Sequence, residues 1–436
     1  MKVAFVSLGC AKNHVDSEML IEYFKEQGFE ICVEPQQAEI IAINTCGFIE
    51  SAKKEAIDTI LEMADYKGKG KCKHLFVFGC LAKRYKNEII ESMPEVDLVV
   101  GVDEYGNIDK ILSNYFETKI CGNLDFRKRT VISNFPTCYI RISDGCENRC
   151  TFCAIPSIRG NFRSRTIEDI IEEVKYFAKE GMEEFVIISQ DTSKYGKDIY
   201  GKPCLEKLLR EISKVEGVKW IRILYMYLYE VTDELIAEIK GNDKICKYFD
   251  IPIQHISNNI LKKMNRKDTK EIIYSKVKKI REEINGAVLR TTVIVGFPGE
   301  TDSEYLELLD AIKELKFEML GAFAYSEEEG TIASKMEGQI DEKVRKERLE
   351  KLYEVQKQIS LEINKKYVGK TFEILVDDVS EDNEYFVARS YMNSPDVDSR
   401  VLIKIDKESA EKIMIGEFQN AKIIDYNQYD LYAKVV

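Results

Sequence analysis

Histidine is nearly missing from this chain: its 436 residues contain only His14, His74 and His255. None of the three forms the paired-histidine spacing of a zinc site, and a second C-x2-C pair is absent as well. No uninterrupted apolar run approaches the roughly 18 residues of a membrane span. The apolar start VAFVSLGCA is broken by AKNH at 11–14, too early for a signal peptide. A cytoplasmic protein with no membrane partner is expected. An excess of positive charge is lacking too. With 64 Lys and Arg against 76 Asp and Glu, the net charge of −12 makes a poor general ligand for phosphate backbones, although a local basic patch would still serve. Low-complexity tracts do not occur.

Cysteine, by contrast, is plentiful, with twelve residues. Disulfides are rare in a reducing compartment, so clustered cysteines there point to metal or catalysis. Cys32, Cys72, Cys121, Cys138, Cys204 and Cys246 are scattered singly and read as small buried hydrophobes. The other six fall into two sets of three.

Three segments differ in pattern. Over 1–125, apolar strands such as KVAFVSLGC, EIIAINTCGF, HLFVFGC and DLVVG alternate with helical stretches. This argues for a doubly wound parallel sheet. In the helix DSEMLIEYFKEQG, Asp16 or Ser17 reads as the cap and Gly28 as the stop. Over 132–362, six strand candidates (TCYIRIS, EEFVIISQD, VKWIRILYMYL, YFDIPIQ, VLRTTVIVGF and MLGAFAYS) alternate with helices. These units suit a complete or partial parallel (β/α) barrel. Over 366–436 the pattern alternates without helical period, which predicts a small antiparallel β-barrel.

The first cysteine set, Cys146, Cys150 and Cys153, occupies GCENRCTFCAIP, on the loop leaving the first barrel strand. Chemistry gathers at that end of a barrel. Three thiolates in one loop reach three corners of a cubane 4Fe–4S cluster and leave the fourth iron for a small molecule. The alternatives are a zinc loop with a distant fourth ligand, or uninvolved thiols. The second set, Cys10, Cys46 and Cys80, closes the apolar strands VAFVSLGC, IIAINTC and LFVFGC, 36 and 34 residues apart. Ligands of a doubly wound sheet bind at these strand ends. Neighbouring strands lie about 4.8 Å apart, so three thiols can converge on a second cluster. Core cysteines are the bland alternative.

The C-x3-C-x2-C loop on a first barrel strand resembles the radical S-adenosylmethionine (SAM) superfamily. The resemblance implies that SAM binds the open iron and is cleaved by one electron to a 5′-deoxyadenosyl radical. It further implies that Gln190 and Asp191 in SQDTSKYG contact SAM, and that Gly296 and Glu300 in VGFPGE belong to its nucleoside-binding stretch. Gly296 and Glu300 also read as a turn and a helix start. Arg222, on an apolar strand, needs an anionic partner, either a SAM or substrate carboxylate or a structural salt bridge.

SLGCAKNHVDSE, INTCGFIESAKKEAID and FGCLAKRY are similar to the N-terminal domain of the methylthiotransferases, a radical SAM branch. GCENRCTFCAIPSIRGNFRSR and IPIQHIS extend that resemblance through the barrel, and the β module falls where the family carries a TRAM domain. It implies two 4Fe–4S clusters with three Cys ligands each, SAM, a low-potential electron donor and a sulfur donor. YMYLYE at 225–230 departs from the family, which usually has proline before the acidic residue.

The wording LGCAKNHVDSE looks like the ribosomal-protein (RimO-type) branch, which modifies the β-carbon of an aspartate in ribosomal small-subunit protein twelve. The other branch modifies a transfer-RNA adenosine next to the anticodon. Residues 363–436 carry 10 Lys and Arg against 14 Asp and Glu, a net of −4, which suits a basic ribosomal protein better than RNA. Arg159, Arg163 and Arg165 read either as a solvated basic loop or as a fork for the target carboxylate. His255 reads as a structural histidine or a proton donor. A non-enzymatic reading is an RNA-binding protein with structural metal sites.

Overall fold

The computed structural model describes residues 1–436 apart from the side chain of Glu408. Packing divides the chain into two units. One comprises Met1–Ser133, Ser143–Arg163 and Ser326–Ser334; the other comprises Asn134–Ile142, Ser164–Tyr325 and Lys335–Val436. The cysteine loop, which in the linear sequence follows a barrel strand, therefore packs with the N-terminal residues.

The first unit is built on a five-stranded sheet. Its strands are β1 (Lys2–Ser7), β2 (Glu30–Ile31), β3 (Ile40–Thr45), β4 (His74–Gly79) and β5 (Leu98–Gly101), in the order β2-β1-β3-β4-β5 and all parallel. Alternate side chains feed two cores. Val3, Ile40, Ala42, Phe76 and Phe78 meet Leu20 and Phe24 of helix α1 (Ala11–Glu26). Ala4, Ile41, Ile43, Leu75 and Val77 meet Ala56, Ile60 and Met63 of helix α2 (Glu50–Ala64) on the opposite face. Burial on both faces explains why these strands are almost continuously apolar. Helix α1 starts earlier than its sequence suggests. Cys10 occupies the cap position, because Asn13, Asp16 and Ser17 spend their side chains on tertiary partners.

The second unit contains β6 (Thr137–Arg141). After it come β7 (Ser143–Asp144) and β8 (Arg163–Ser164), two-residue strands flanking the cysteine loop. β9 (Glu184–Ile188) and β10 (Trp220–Ile223) complete a parallel sheet ordered β10-β9-β6. β11 (Tyr248–Asp250), β12 (Val288–Val295) and β13 (Met319–Ala324) form the other half, with a parallel bridge Ile221–Ile245 between the halves. All six expected strands are present as a partial barrel. The helices between them begin with Thr166, Thr232, Thr269 and Thr301, whose hydroxyls accept the amide N–H three residues on. The departure at 225–230 forms a single 3-10 turn, Leu228–Glu230.

Strands β14 (Thr371–Val379), β15 (Tyr385–Ser390), β16 (Val401–Lys404), β17 (Phe418–Tyr426) and β18 (Leu431–Val435) close a barrel. It is antiparallel except at β16–β18. That pair is parallel because the helix Lys407–Lys412 and β17 intervene before the chain returns. Among the described residues, no helix is long and apolar enough to cross a membrane.

Candidate metal centre

β1, β3 and β4 are neighbours, so Cys10, Cys46 and Cys80 stand at the carboxyl ends of three adjacent strands. In the order 2-1-3-4-5, the topological switch point lies between β1 and β3, where such sheets bind ligands. Two glycines allow the tight turns. A Cβ on Gly9 (φ 92°) would fall 2.7 Å from the Cβ of Cys46. One on Gly79 (φ 106°) would fall 2.4 Å from Asn44 Oδ1.

A polar frame locks these ends together. Asn13 Nδ2 donates to the carbonyls of Leu8 and Thr45, both at 3.1 Å. Asn44 Nδ2 donates to the Asn13 carbonyl at 2.8 Å and to Ser17 Oγ at 2.9 Å. The thiol of Cys80 lies 3.6 Å from Asn13 Oδ1. Burial raises the Cys46 thiol and pushes Cys80 up to about 12. Cys10 goes the other way. Burial opposes its charge, but Lys12, Arg159 and the amides of Asn13 and Lys12 outweigh that and hold the thiol below the usual range. A cationic ligand would favour the thiolate form at all three positions.

The second set is shaped by backbone. Gly145 (φ 76°) passes so close to Asn161 that a Cβ there would sit 2.1 Å from its carbonyl oxygen. The amide of Cys146 donates to Gly160 O at 3.1 Å, and that of Cys153 to Cys150 O at 3.0 Å. Burial, then the neighbouring Cys150 and Cys146, pushes Cys153 up to about 12. The two sets adjoin, because Ala154 and Ile158, just past Cys153, pack directly on Cys80. Among the described residues, no three His, Cys, Asp or Glu side chains are drawn tightly enough for a single metal ion. A cubane holds its ligands on separate irons and needs no such convergence. The donors at both places are thiols, which matches the preference of iron–sulfur clusters.

Of the scattered cysteines, Cys72, Cys138, Cys204 and Cys246 are buried as expected, Cys32 is half-buried, and Cys121 is exposed. Cys121 lies in an irregular stretch after the helix Ile108–Phe116, where no sheet or helix face encloses it.

The arginines after the loop have separate fates. Arg163 is exposed. Arg165 pairs with Asp169 at 2.7 Å and Glu173 at 2.5 Å and donates to Arg141 O at 2.9 Å. Arg159 is neither solvated nor free for a substrate. It is 6% exposed and donates to Asp16 Oδ2 at 2.7 Å, to Asn13 Oδ1 at 2.9 Å and to the sulfur of Cys80 at 3.5 Å. The sequence carried one signal for this. Asn13 and Asp16 follow Cys10 at helical spacing, a polar stripe beginning at a thiol.

In the second unit, Gln190 and Asp191 follow β9 at its carboxyl end. Asp191 is fixed there, its amide donating to Ser189 Oγ at 2.9 Å and its Oδ1 accepting from Ser193 Oγ at 2.5 Å. The ligand expectation for Arg222 is corrected. The residue is fully enclosed, its Nε is 3.0 Å from Glu184 Oε1, and it donates to the carbonyls of Tyr391 at 2.7 Å and Ser390 at 3.3 Å. Its anionic partner is internal. Glu300 is likewise committed. It accepts from the Gly296 amide at 2.7 Å and from His255 Nε2 at 3.0 Å, and it pairs with Arg348. His255 Nδ1 accepts the Ser257 amide at 3.0 Å, which leaves the ring proton on Nε2 and makes this a structural histidine. Gly296 (φ 72°) makes room chiefly for Arg345, whose Cγ would lie 2.2 Å from a Cβ there.

Comparison with known proteins agrees with this architecture. Residues 2–101 match the uncharacterized protein family UPF0004, 140–312 the radical SAM superfamily and 368–436 the TRAM domain. The chain is 47% identical over 442 residues to the ribosomal protein uS12 methylthiotransferase RimO of Clostridium novyi (strain NT), covering 100% of this chain and 98% of that one. It is 46% identical over 444 residues to the protein of the same name from Clostridioides difficile (strain 630), covering 100% and 99%. Among solved structures, the radical S-adenosylmethionine methyltransferase TsrM from Kitasatospora setae, with cobalamin and a 4Fe–4S cluster bound, superposes with a TM-score of 0.55. That likeness, at 14% identity over 74% of this chain and 72% of the other, concerns the fold alone.

Proposed function

The chain belongs to the ribosomal protein uS12 methylthiotransferase family, and on that premise we propose that it adds a methylthio group to the β-carbon of an aspartate in uS12, in the cytoplasm. The observation that carries the reading is the gathering of two three-cysteine sets in one packed unit, joined through Cys80, Ala154 and Ile158. Cys146, Cys150 and Cys153 would hold one 4Fe–4S cluster, and Cys10, Cys46 and Cys80 the other. Gln190, Asp191 and the backbone at Gly296 would receive SAM, whereas Arg222 and Glu300 serve the fold around it. Bound there, these groups supply one-electron radical chemistry together with the sulfur and methyl to be transferred.

The chain's own residues do the positioning. Asn13 and Asn44 bond across the ends of β1 and β3, so the thiols at those ends keep their spacing without a ligand's help. Ala154 and Ile158 cover Cys80 with apolar surface and keep water from its sulfur. Ser189 and Ser193 hold the Asp191 carboxylate in one orientation. The same reading requires a low-potential electron donor and a sulfur donor.

Mass spectrometry of uS12 from a strain lacking the gene tests the assignment. The methylthio-aspartate is expected to vanish and to return on complementation. An unchanged modification refutes the reading, and a lost transfer-RNA methylthio-adenosine instead assigns the other branch. Anaerobic reconstitution should give about eight irons, and replacing either cysteine set by alanine should remove about four.

A further inference from the structure

Arg159 comes from the loop that carries Cys146, Cys150 and Cys153, yet its guanidinium lies among the residues around Cys10, Cys46 and Cys80. The path is short. Cys153 is followed by the helix Ile155–Arg159, whose Ile158 packs on Cys80 while Arg159 turns inward. One nitrogen, Nη2, serves Asp16, Asn13 and the Cys80 sulfur, and Nη1 lies 3.6 Å from Asp144 Oδ1. Lys12 is the other cation acting on this thiol group. An enclosed arginine is costly to bury and keeps its charge at every working pH. Asp16 answers its charge but not all of its N–H groups, and its position aims one of them at a sulfur.

Hydrogen bonds to the sulfurs and the net charge beside a cluster set its reduction potential. We infer that Arg159 is a positioning residue for the centre on Cys10, Cys46 and Cys80. It donates to the Cys80 sulfur and raises the potential of that centre, with Asp16 setting how much of its charge is felt. One loop thereby orders the first thiol set and tunes the second. The inference rests on the reading of those three cysteines as cluster ligands.

The two substitutions act with opposite sign. Arg159→Gln removes the positive charge and the donor, so the reduced-to-oxidised ratio at fixed ambient potential should fall at least about tenfold, a drop of about 59 mV for a one-electron couple. Asp16→Asn removes the compensating anion, so the same potential should rise. Arg159→Lys should retain part of the wild-type value. The measurement is an EPR-monitored redox titration of the full-length two-cluster enzyme, with the Cys146/Cys150/Cys153→Ala background used to assign the signals. Opposite shifts support the inference. Unmoved potentials, or shifts of the same sign, overturn it. If Arg159→Gln loses its irons at this site, Asp16→Asn decides, and an unmoved or lowered potential there overturns the inference. A wild-type protein without irons on Cys10, Cys46 and Cys80 overturns the cysteine reading as well, whereas irons present with unmoved potentials overturn only the role of Arg159.

Discussion

Replacing Glu184 by Gln should destabilise the second unit strongly while leaving SAM binding intact. Glu184 is fully enclosed between two guanidinium groups. Its Oε1 is 3.0 Å from Arg222 and 3.1 Å from Arg389, and its Oε2 is 2.8 Å from Arg389. Without the carboxylate, Arg389 keeps Asp377 at 2.7 Å, but Arg222 keeps only carbonyl oxygens. Breaking a buried pair from one side costs about 3–5 kcal/mol. The titration of Glu184 gives a consistent figure. Burial pushes its carboxyl up, but Arg389 and then Arg222 overcome this and hold it at about 2, against an ordinary 4.5. That difference is worth roughly 3 kcal/mol at 1.36 kcal/mol per pH unit. Because the folded value is the lower one, this stability is fully present above about pH 4.5 and is lost as the pH falls toward 2. Burial raises Asp377 in the same cluster, which works in the opposite direction and trims the net acid limb. The chain's single tryptophan, Trp220, is two residues from Arg222 and meets Phe418 edge-on at 4.8 Å, so its fluorescence reports on this junction. Urea unfolding followed by that signal at pH 7 should show the loss, and the variant should show a shallower acid dependence. A Glu184→Gln protein within about 1 kcal/mol of wild type refutes the reasoning. So does an Arg222→Met protein that keeps its stability but loses SAM affinity.

The glycine turns make separable predictions. Gly9→Ala should empty the Cys10, Cys46 and Cys80 site of about four irons, and Gly145→Ala should do the same to Cys146, Cys150 and Cys153, as read by iron and sulfide analysis. His255→Ala should cost about 1–3 kcal/mol by stranding Glu300, with the shape of the pH–rate profile unchanged; a lost acid limb would make it a proton donor instead. Glu328 is 2% exposed and binds Lys53 at 3.1 Å and Arg84 at 2.9 Å within the first unit. Glu328→Gln should release Ser326–Ser334, read as faster hydrogen exchange at the Ala333 amide, which bonds to Thr151 O at 2.9 Å.

Much of this architecture was legible because the strands are apolar runs of ordinary length and the six cysteines stand at their ends or in one loop. Alternating apolar strands and helices point to a doubly wound sheet, and the strands that end at Cys10, Cys46 and Cys80 are neighbours in it. What stayed hidden is long-range pairing of charge. Arg159 meets Asp16 across 143 residues, and Arg389 meets Glu184 across 205. A sequence shows that a buried arginine needs an anion but not which one, and so Arg222 reads equally as a ligand contact and as a salt bridge, of which the structure has the second, to Glu184. Gly296 carries a second constraint that the sequence does not show. Its small size does matter, but the atoms that use the space belong to Arg345, 49 residues away in sequence and not near in any local pattern. Helix α1 starts at Ala11 and not near Asp16 or Ser17, because those two residues, although cap-like in type, serve the frame around Cys80 and Asn44.

The charge of the C-terminal barrel can now be weighed by position. Asp377 is internal and cancels against Arg389, and Asp398 is 2% exposed and answered by Arg290 from the central barrel. Removing these from a net of −4 leaves the outward face less acidic by one unit, and acidic still. A groove of about 530 Å³ sets Lys404, Lys412 and Lys434 with Tyr385 and Tyr432, a combination of cations and rings that suits a nucleic acid. Asp406 and Asp425 share its lining, which takes back most of that local charge. Lys365, Lys366 and Lys370 are a second exposed set of cations, at the start of the module, so what favours a lysine- and arginine-rich partner is the sign of the module's balance and not an unbroken acidic face. The balance keeps its acidic sign once these buried groups are set aside, because Asp377 and Arg389 drop out as a pair and Asp398 is answered from outside the module.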